Sequence, residues 1–286
     1  MSERLLLRAM KGEKATTVVL RGKNLTKVPT LVRKLYHLKT LDLMSNQISK
    51  LCPELISLTQ LKKLNLGNNK LEEVPEELMY LKNLEILHLF KNLIKSFSPK
   101  SFDGLENLNI LNMNHNMLKE IPPEINRLQN LRNLSLNNNQ LTGIPKELCT
   151  LPYLSELHLN YNQIVSIPEE FQTMKNLEKL SLARNLIEVF PVVLCSMSNL
   201  KILDIAGNLI QLLPRKIRRM KLGGFYCEEN PFLKKLPMFI EERLEVLPLK
   251  NWKTSTDIKE LPHETVICSQ SCFKERTPDI FQLRKT

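Results

Sequence analysis

The chain has 286 residues, a formal net charge of +11, and 42% hydrophobic but only 6% aromatic residues. That is ample apolar material for a large aliphatic core, while no run approaches the roughly 18–20 apolar residues of a membrane-spanning helix. With 8 glycines there is little material for a phosphate-cradling loop, and neither G-x-S-x-G nor H-E-x-x-H occurs, which predicts a protein that is not an enzyme and takes no cofactor or small-molecule substrate.

The opening stretch, MSERLLLRAMKGEK, holds three leucines in a row before charge returns, too few for a signal-peptide core. Leu5, Leu6, Ala9 and Met10 recur at helical spacing and predict a short capping helix within 1–14. Cysteines at 52, 149, 195, 227, 268 and 272 form no clustered framework of the kind a secreted chain uses to close its ends. These features predict a cytoplasmic protein, with the nucleus as a second compartment.

From residue 15 one template repeats. LNLGNNKLEEVPEEL (64–78), LSLNNNQLTGIPKEL (134–148) and LHLNYNQIVSIPEEF (157–171) share it. Read as L-x-x-L-x-L-x-x-N-x-L, its first positions fall at 15, 38, 61, 84, 108, 131, 154, 177, 200 and 222. Ten units in near-constant register predict an α/β solenoid over 15–236, a leucine-rich-repeat horseshoe. Its concave side is a parallel β-sheet of about ten strands, and its convex side carries short helical or extended segments. Positions 1, 4, 6, 11 and 14 should point inward, for example Leu131, Leu134, Leu136, Leu141 and Ile144. Position 9 is Asn46, Asn69, Asn92, Asn116, Asn139, Asn162, Asn185, Asn208 and Asn230, with Lys23 the exception. An inward amide there can both donate to and accept from backbone groups of adjacent coils, which predicts a structural ladder. Proline recurs at position 15, from Pro29 to Pro214, where a fixed φ suits the path leaving the strand. The fourth unit has Ser98 there and one extra residue in SFSPKSFDGL, so its convex loop should bulge.

Positions 2, 3, 5, 7 and 8 face away from that core and are free to serve a partner. In units four to eight they present Ile86, His88, Phe90, Ile110, Asn112, His115, Asn138, His158, Tyr161 and Arg184 on one surface. Aromatic, amide and arginine groups mixed with a few aliphatics are what protein interfaces favour. His88 and His158 share a strand position three units apart, roughly 14 Å at about 4.8 Å per strand, too far to share an ion. They are expected to be surface histidines.

Basic residues gather at the ends: nine against two acidic in 1–37, and eight against three in 200–236. The densest patch is PRKIRRMK (214–221), expected on the convex side as a solvated face, with an acidic partner or nuclear import as its functional reading. No aromatic interleaving supports base stacking, so nucleic acid is not the expected partner. LGGFYCEENPF (222–232) is a degenerate last unit with Phe225, Cys227 and Phe232 in core positions. The tail, 237–286, holds one helical stretch, IEERLEVL, and a polar run around Trp252. Cys268, Cys272 and His263 have some zinc character but fall short of the usual four ligands, so no metal site is predicted.

With units of the form L-x-x-L-x-L-x-x-N-x-I-x-x-I-P-x-x-L-x-x-L, residues 15–236 resemble the intracellular Ras-group and Ras-suppressor type of leucine-rich-repeat protein. In relatives of that sort the tail tends to carry an upstream C-x-x-C. This chain has none between residues 233 and 267, so either the tail is shortened or any metal site it formed is incomplete. The resemblance implies a monomeric, non-enzymatic scaffold that binds another protein on its concave face, in small-GTPase or phosphatase signalling. The competing reading is a substrate-recognition module whose cysteine-bearing tail binds zinc or recruits a modifying enzyme.

Overall fold

In each unit an apolar residue at position 4 stands between two outward-facing neighbours, the pattern of a half-buried strand. The structure, a computed structural model, describes residues 16–98, 100 and 102–233. The expected N-terminal helix, the tail beyond 237, and Cys268, Cys272 and His263 lie outside the described residues. Ten short strands pair in parallel and in chain order, among them Thr17–Val19, Thr40–Asp42, Lys63–Asn65, Ile86–His88, Ile110–Asn112 and Gly224–Tyr226. Equivalent positions align across every pair: Leu41 with Leu64, Leu64 with Leu87, Leu87 with Leu111 and Leu203 with Phe225. The extra residue of the fourth unit therefore leaves the sheet untouched and is absorbed on the convex side.

The convex elements are 3-10 turns of five residues, such as Thr30–Lys34, Glu76–Tyr80, Lys146–Thr150 and Arg215–Arg219. Each begins directly after the position-15 residue. Pro29, Pro75, Pro122 and Pro145 hold φ between −62° and −71° with extended ψ, and Cys52 takes the same place at φ −98°. A 3-10 turn reverses the chain in few residues and here buries one apolar anchor, Val32, Leu78 or Phe171 in their units. The fourth unit departs from this. Ser96–Phe97 pairs in parallel with Glu73–Val74 to form a second, two-stranded sheet, and Phe102 is buried in the anchor's stead. Its ring lies 5.1 Å from that of Phe97.

The core is a stack of leucines. Leu131, Leu134, Leu136 and Leu141 are buried, but Ile144 is only half-buried. Gly143 beside it has open space where a side chain would stand. The last unit corrects the expectation more sharply. Cys227 is buried and Phe225 half-buried, but Phe232 is 55% exposed, because among the described residues no further coil stacks on it. All described repeats belong to one compact unit. None of the described helices is long and apolar enough to cross a membrane.

Candidate functional site

Two sets of asparagines hold the strand face in place. The first is at position 9, where all nine side chains are buried. Asn139 donates to the Met113 and Leu136 carbonyls at 3.1 and 3.0 Å and accepts the Leu118 N–H at 3.1 Å. Asn46 repeats the pattern one unit from the start, accepting both Lys23 and Leu25 N–H groups at 2.9 and 3.0 Å. Each amide thus closes backbone groups of two coils that would otherwise be buried without partners.

The second set corrects the reading of the outward face. The backbone N–H at position 7 needs an acceptor in every interior unit, and two devices supply it. Where position 5 is Asp or Asn, its own side chain does so: Asp42 to Met44 at 2.9 Å, Asn65 to Gly67 at 3.0 Å, Asn112 to Asn114 at 3.1 Å, Asp204 to Ala206 at 3.1 Å. Where position 5 is Ser135, His158 or Ser181, an asparagine at position 7 of the preceding unit reaches across. Asn114 accepts from Asn137 at 2.8 Å, Asn137 from Asn160 at 2.7 Å, and Asn160 from Ala183 at 2.8 Å. Asn112, placed among the partner-facing residues by its periodicity, is 9% exposed and committed to this network. Asn114 and Asn137 are likewise structural. Asn138 is half-buried at φ +56°, a left-handed conformation that asparagine tolerates well. The same φ recurs at His115, Tyr161 and Arg184, so all four occupy one structural position at the turn after the strand.

The fourth unit has neither device. Position 5 is His88 and the preceding position 7 is Gly67, and no acceptor among the described residues reaches the Phe90 N–H. The tip of the Phe90 ring rests against Gly67; a Cβ there would stand 2.5 Å from it, so the ring keeps this seat only over glycine. His88 meets the ring edge-on with centroids 6.2 Å apart. Contrary to a surface histidine, its Nδ1 is buried without a hydrogen-bond partner. Burial, helped by the Lys63 charge, pushes its pKa down to about 4, so the ring is neutral at physiological pH. Ile86 and Ile110, in register on adjacent strands, flank this group and are half-buried. Periodicity missed Leu93 and Met117, at position 10 of the same two units and 40% and 39% exposed. Position 10 is Gln47, Lys70, Gln140 and Gln163 in four other units but leucine again at Leu186 and Leu209 in the eighth and ninth, so the position alone did not single these two out.

Further along, His158 Nδ1 lies 3.3 Å from Ser181 Oγ and its Nε2 3.5 Å from Glu156. The His158 imidazole and the Lys179 ammonium, 2.7 Å away, hold the Glu156 carboxyl down at about 2. Tyr161 is 40% exposed with the Arg184 guanidinium 5.8 Å over its ring, and Arg184 also pairs with Glu229. Burial lowers the pKa of His115, with Lys91 adding to the shift. The histidines thus sit in separate settings, and among the described residues no group of three His, Cys, Asp or Glu could hold a metal ion. Burial raises the thiols of Cys52, Cys149 and Cys227 to about 11, 12 and 12, leaving them protonated and poorly nucleophilic.

Comparison with known proteins agrees with this geometry. The profile of the family described as leucine rich repeat matches residues 36–94, 59–118, 129–187 and 152–210. Human leucine-rich repeat-containing protein 69 is 57% identical over 129 residues, 45% of this chain and 37% of the relative. The mouse protein of the same name is 47% identical over 47 residues, 15% of this chain and 14% of that protein. The matched segments therefore span well under half the length of these curated relatives. Among solved structures, a leucine-rich-repeat protein of Leptospira interrogans is 33% identical at a TM-score of 0.61, covering 72% of this chain and 58% of that one. A plant peptide hormone receptor, RGFR1 in complex with RGF2, is 27% identical at a TM-score of 0.62, covering 71% of this chain and 34% of the receptor.

Proposed function

The chain belongs to the leucine-rich-repeat family, and from that premise we propose that it is a non-catalytic scaffold binding a protein on its concave strand face, centred on the fourth and fifth units. One observation carries this reading. Among the described residues, the fourth unit alone in the interior of the sheet leaves its position-7 N–H without the acceptor its neighbours supply, and a cluster of apolar side chains surrounds it. Ile86, Phe90, Ile110, Leu93 and Met117 all belong to these two units. The other interior units carry Asp or Asn at position 5 or follow a unit with Asn at position 7, and the fourth has neither. Departure from a local rule without compensation is expected where a sequence serves binding rather than folding. The receptor RGFR1, solved with RGF2, is a structural relative bound to a ligand. His115, Tyr161 and Arg184 extend the surface toward the eighth unit, and Asn138 and His158 lie between them. By resemblance, the assembly served is of the small-GTPase or phosphatase signalling kind.

The test compares proteins captured by the immobilised full chain with those captured by two variants. Phe90→Ala with Ile110→Ser should reduce the principal captured protein at least tenfold, about 1.4 kcal/mol. Reversal of the convex charges at Arg215, Arg218 and Arg219 should leave it within twofold. Loss in the convex variant and retention in the concave one would put the binding face on the wrong side.

A further inference from the structure

Charge on the strand face is divided along the stack. Toward the end, cations are matched: Lys179 pairs with Glu156 at 2.7 Å, Lys201 with Glu178 at 2.7 Å, and Arg184 with Glu229. In the first three units Lys62 finds Glu85 at 2.6 Å, but Arg21, Lys39 and Lys63 are exposed and make no ion pair among the described residues. The Arg21 guanidinium rests instead against the Met44 sulfur. The one acid on their strands, Asp42, is half-buried and has an oxygen committed to the Met44 N–H. Lys63, Ile86 and Ile110 occupy the same position on three successive strands, paired Cα to Cα. A cationic site therefore runs directly into the apolar group at units four and five.

We propose that the occupant of this face is an extended acidic polypeptide segment, its carboxylates on Arg21, Lys39 and Lys63 and an adjoining apolar side chain on Ile86, Phe90 and Ile110. The inference rests on the concave-face reading and adds the partner's chemistry and its direction of lie. Lys39 and Lys63, at positions 2 and 3 of neighbouring units, lie roughly 6 Å apart, close to the spacing of about 6.8 Å between same-face residues of an extended chain. Arg21, at position 7, lies roughly 16 Å further along the strand direction and meets a later part of the same segment. The Phe90 N–H offers a donor to a backbone carbonyl, which an extended polypeptide presents all along its length. Unpaired surface cations add affinity and association rate rather than folding stability, because exposed pairs contribute little to the fold. Nucleic acid fits less well. It needs successive rings to stack its bases, whereas beside the cations stands the half-buried Phe90 ring seated against Gly67, with His88 edge-on to it and two isoleucines alongside.

The probe is a fluorescein-labelled synthetic peptide with three glutamates followed by Leu-Ser-Leu, titrated with the full chain by fluorescence polarisation. Its controls carry lysine for glutamate or serine for leucine, and a uridine oligonucleotide of equal charge runs beside them. The acidic–apolar peptide should bind at least tenfold more tightly than either control peptide and weaken as salt rises toward about 0.5 M. Lys39→Glu with Lys63→Glu should cost that binding at least tenfold, and the convex reversal at Arg215, Arg218 and Arg219 under twofold. If the reversal variant does not fold by circular dichroism, Lys39→Gln with Lys63→Gln gives the same reading at smaller amplitude. Tighter binding of the oligonucleotide, equal binding of the control peptides, or loss only in the convex variant overturns the proposal. Captured protein separates the two readings. Loss with Phe90→Ala/Ile110→Ser but not with Lys39→Glu/Lys63→Glu defeats the acidic partner and leaves the concave face standing, and loss with neither defeats both.

Discussion

At the scale of the residue, the run Asn137–Asn138–Asn139 shows how three identical side chains come to do three different things. Asn139 closes the buried ladder, Asn137 takes the N–H of the next coil, and Asn138 tolerates a left-handed φ. Position 9 was legible from the sequence because the repeat puts one amide at one place in every unit. The second network was not, because it depends on two positions in different units. Its trace was nonetheless there: wherever position 5 is Ser135, His158 or Ser181, the preceding position 7 is Asn114, Asn137 or Asn160. His88 is where that compensation fails. Replacing His88 by Asn should restore the cap seen at Asn65 and Asn112, adding about 1 kcal/mol and raising Tm by roughly 2–4 °C. Its pKa in the fold, about 4 against an ordinary 6.5, means the unfolded chain takes up the proton first. His88 is therefore harmless above about pH 7 and destabilises progressively as pH falls through 6.5 toward 4. Lys63 adds to this and Asp42 opposes it. Thermal melts at pH 7 and pH 5 should show a larger acid loss for the native chain than for His88→Asn. Equal losses would remove His88 as the source.

At the scale of the element, the convex segments follow the position-15 residue closely: Cys52 in place of proline still starts a regular 3-10 turn, and it is the fourth unit, with Ser98 there and one extra residue, that changes form. Sequence alone placed the extra residue of the fourth unit in its convex loop but not the form the loop takes, because that depends on a neighbour. The third unit's Glu73–Val74 supplies a strand edge for Ser96–Phe97, and Gly104 lets the returning chain close on the Met79 carbonyl. A Cβ at Gly104 would stand 2.1 Å from that oxygen, and the residue sits at φ +74°. Gly143, two units on, has neither constraint, with nothing within 4 Å of such an atom. Alanine at Gly104 should accordingly lower stability by about 1–3 kcal/mol in urea unfolding, through overpacking and a disfavoured φ. Alanine at Gly143 should leave it unchanged or raise it by about 0.4–1 kcal/mol by restricting the unfolded chain. A neutral Gly104→Ala would mean that the bulge moves aside freely and does not lock the fourth unit to the third.

At the scale of the whole stack, each coil touches mainly the coils before and after it, so stability is carried by nearest-neighbour interfaces. This is why the fold was readable from a period while the departure of the fourth unit was not: the period specifies what is common to all units and is silent on where one unit differs. It also sets how damage should spread. Asn139 bridges the fifth and sixth units through the Leu118 N–H and the Met113 and Leu136 carbonyls. Asn139→Ala leaves those buried groups unpaired, a loss of about 1–3 kcal/mol, whereas Asn138→Ala beside it removes none of these bonds. Native-state hydrogen exchange on the full chain should then show protection falling most in units five and six, about tenfold for each 1.4 kcal/mol. The fall should fade through units four and seven, and amides of the second and ninth units should keep their native rates. Asn138→Ala should leave the profile almost unchanged. A uniform fall across all ten strands would mean instead that the sheet opens as one cooperative block, and that the interface between the fifth and sixth units has no stability of its own to lose.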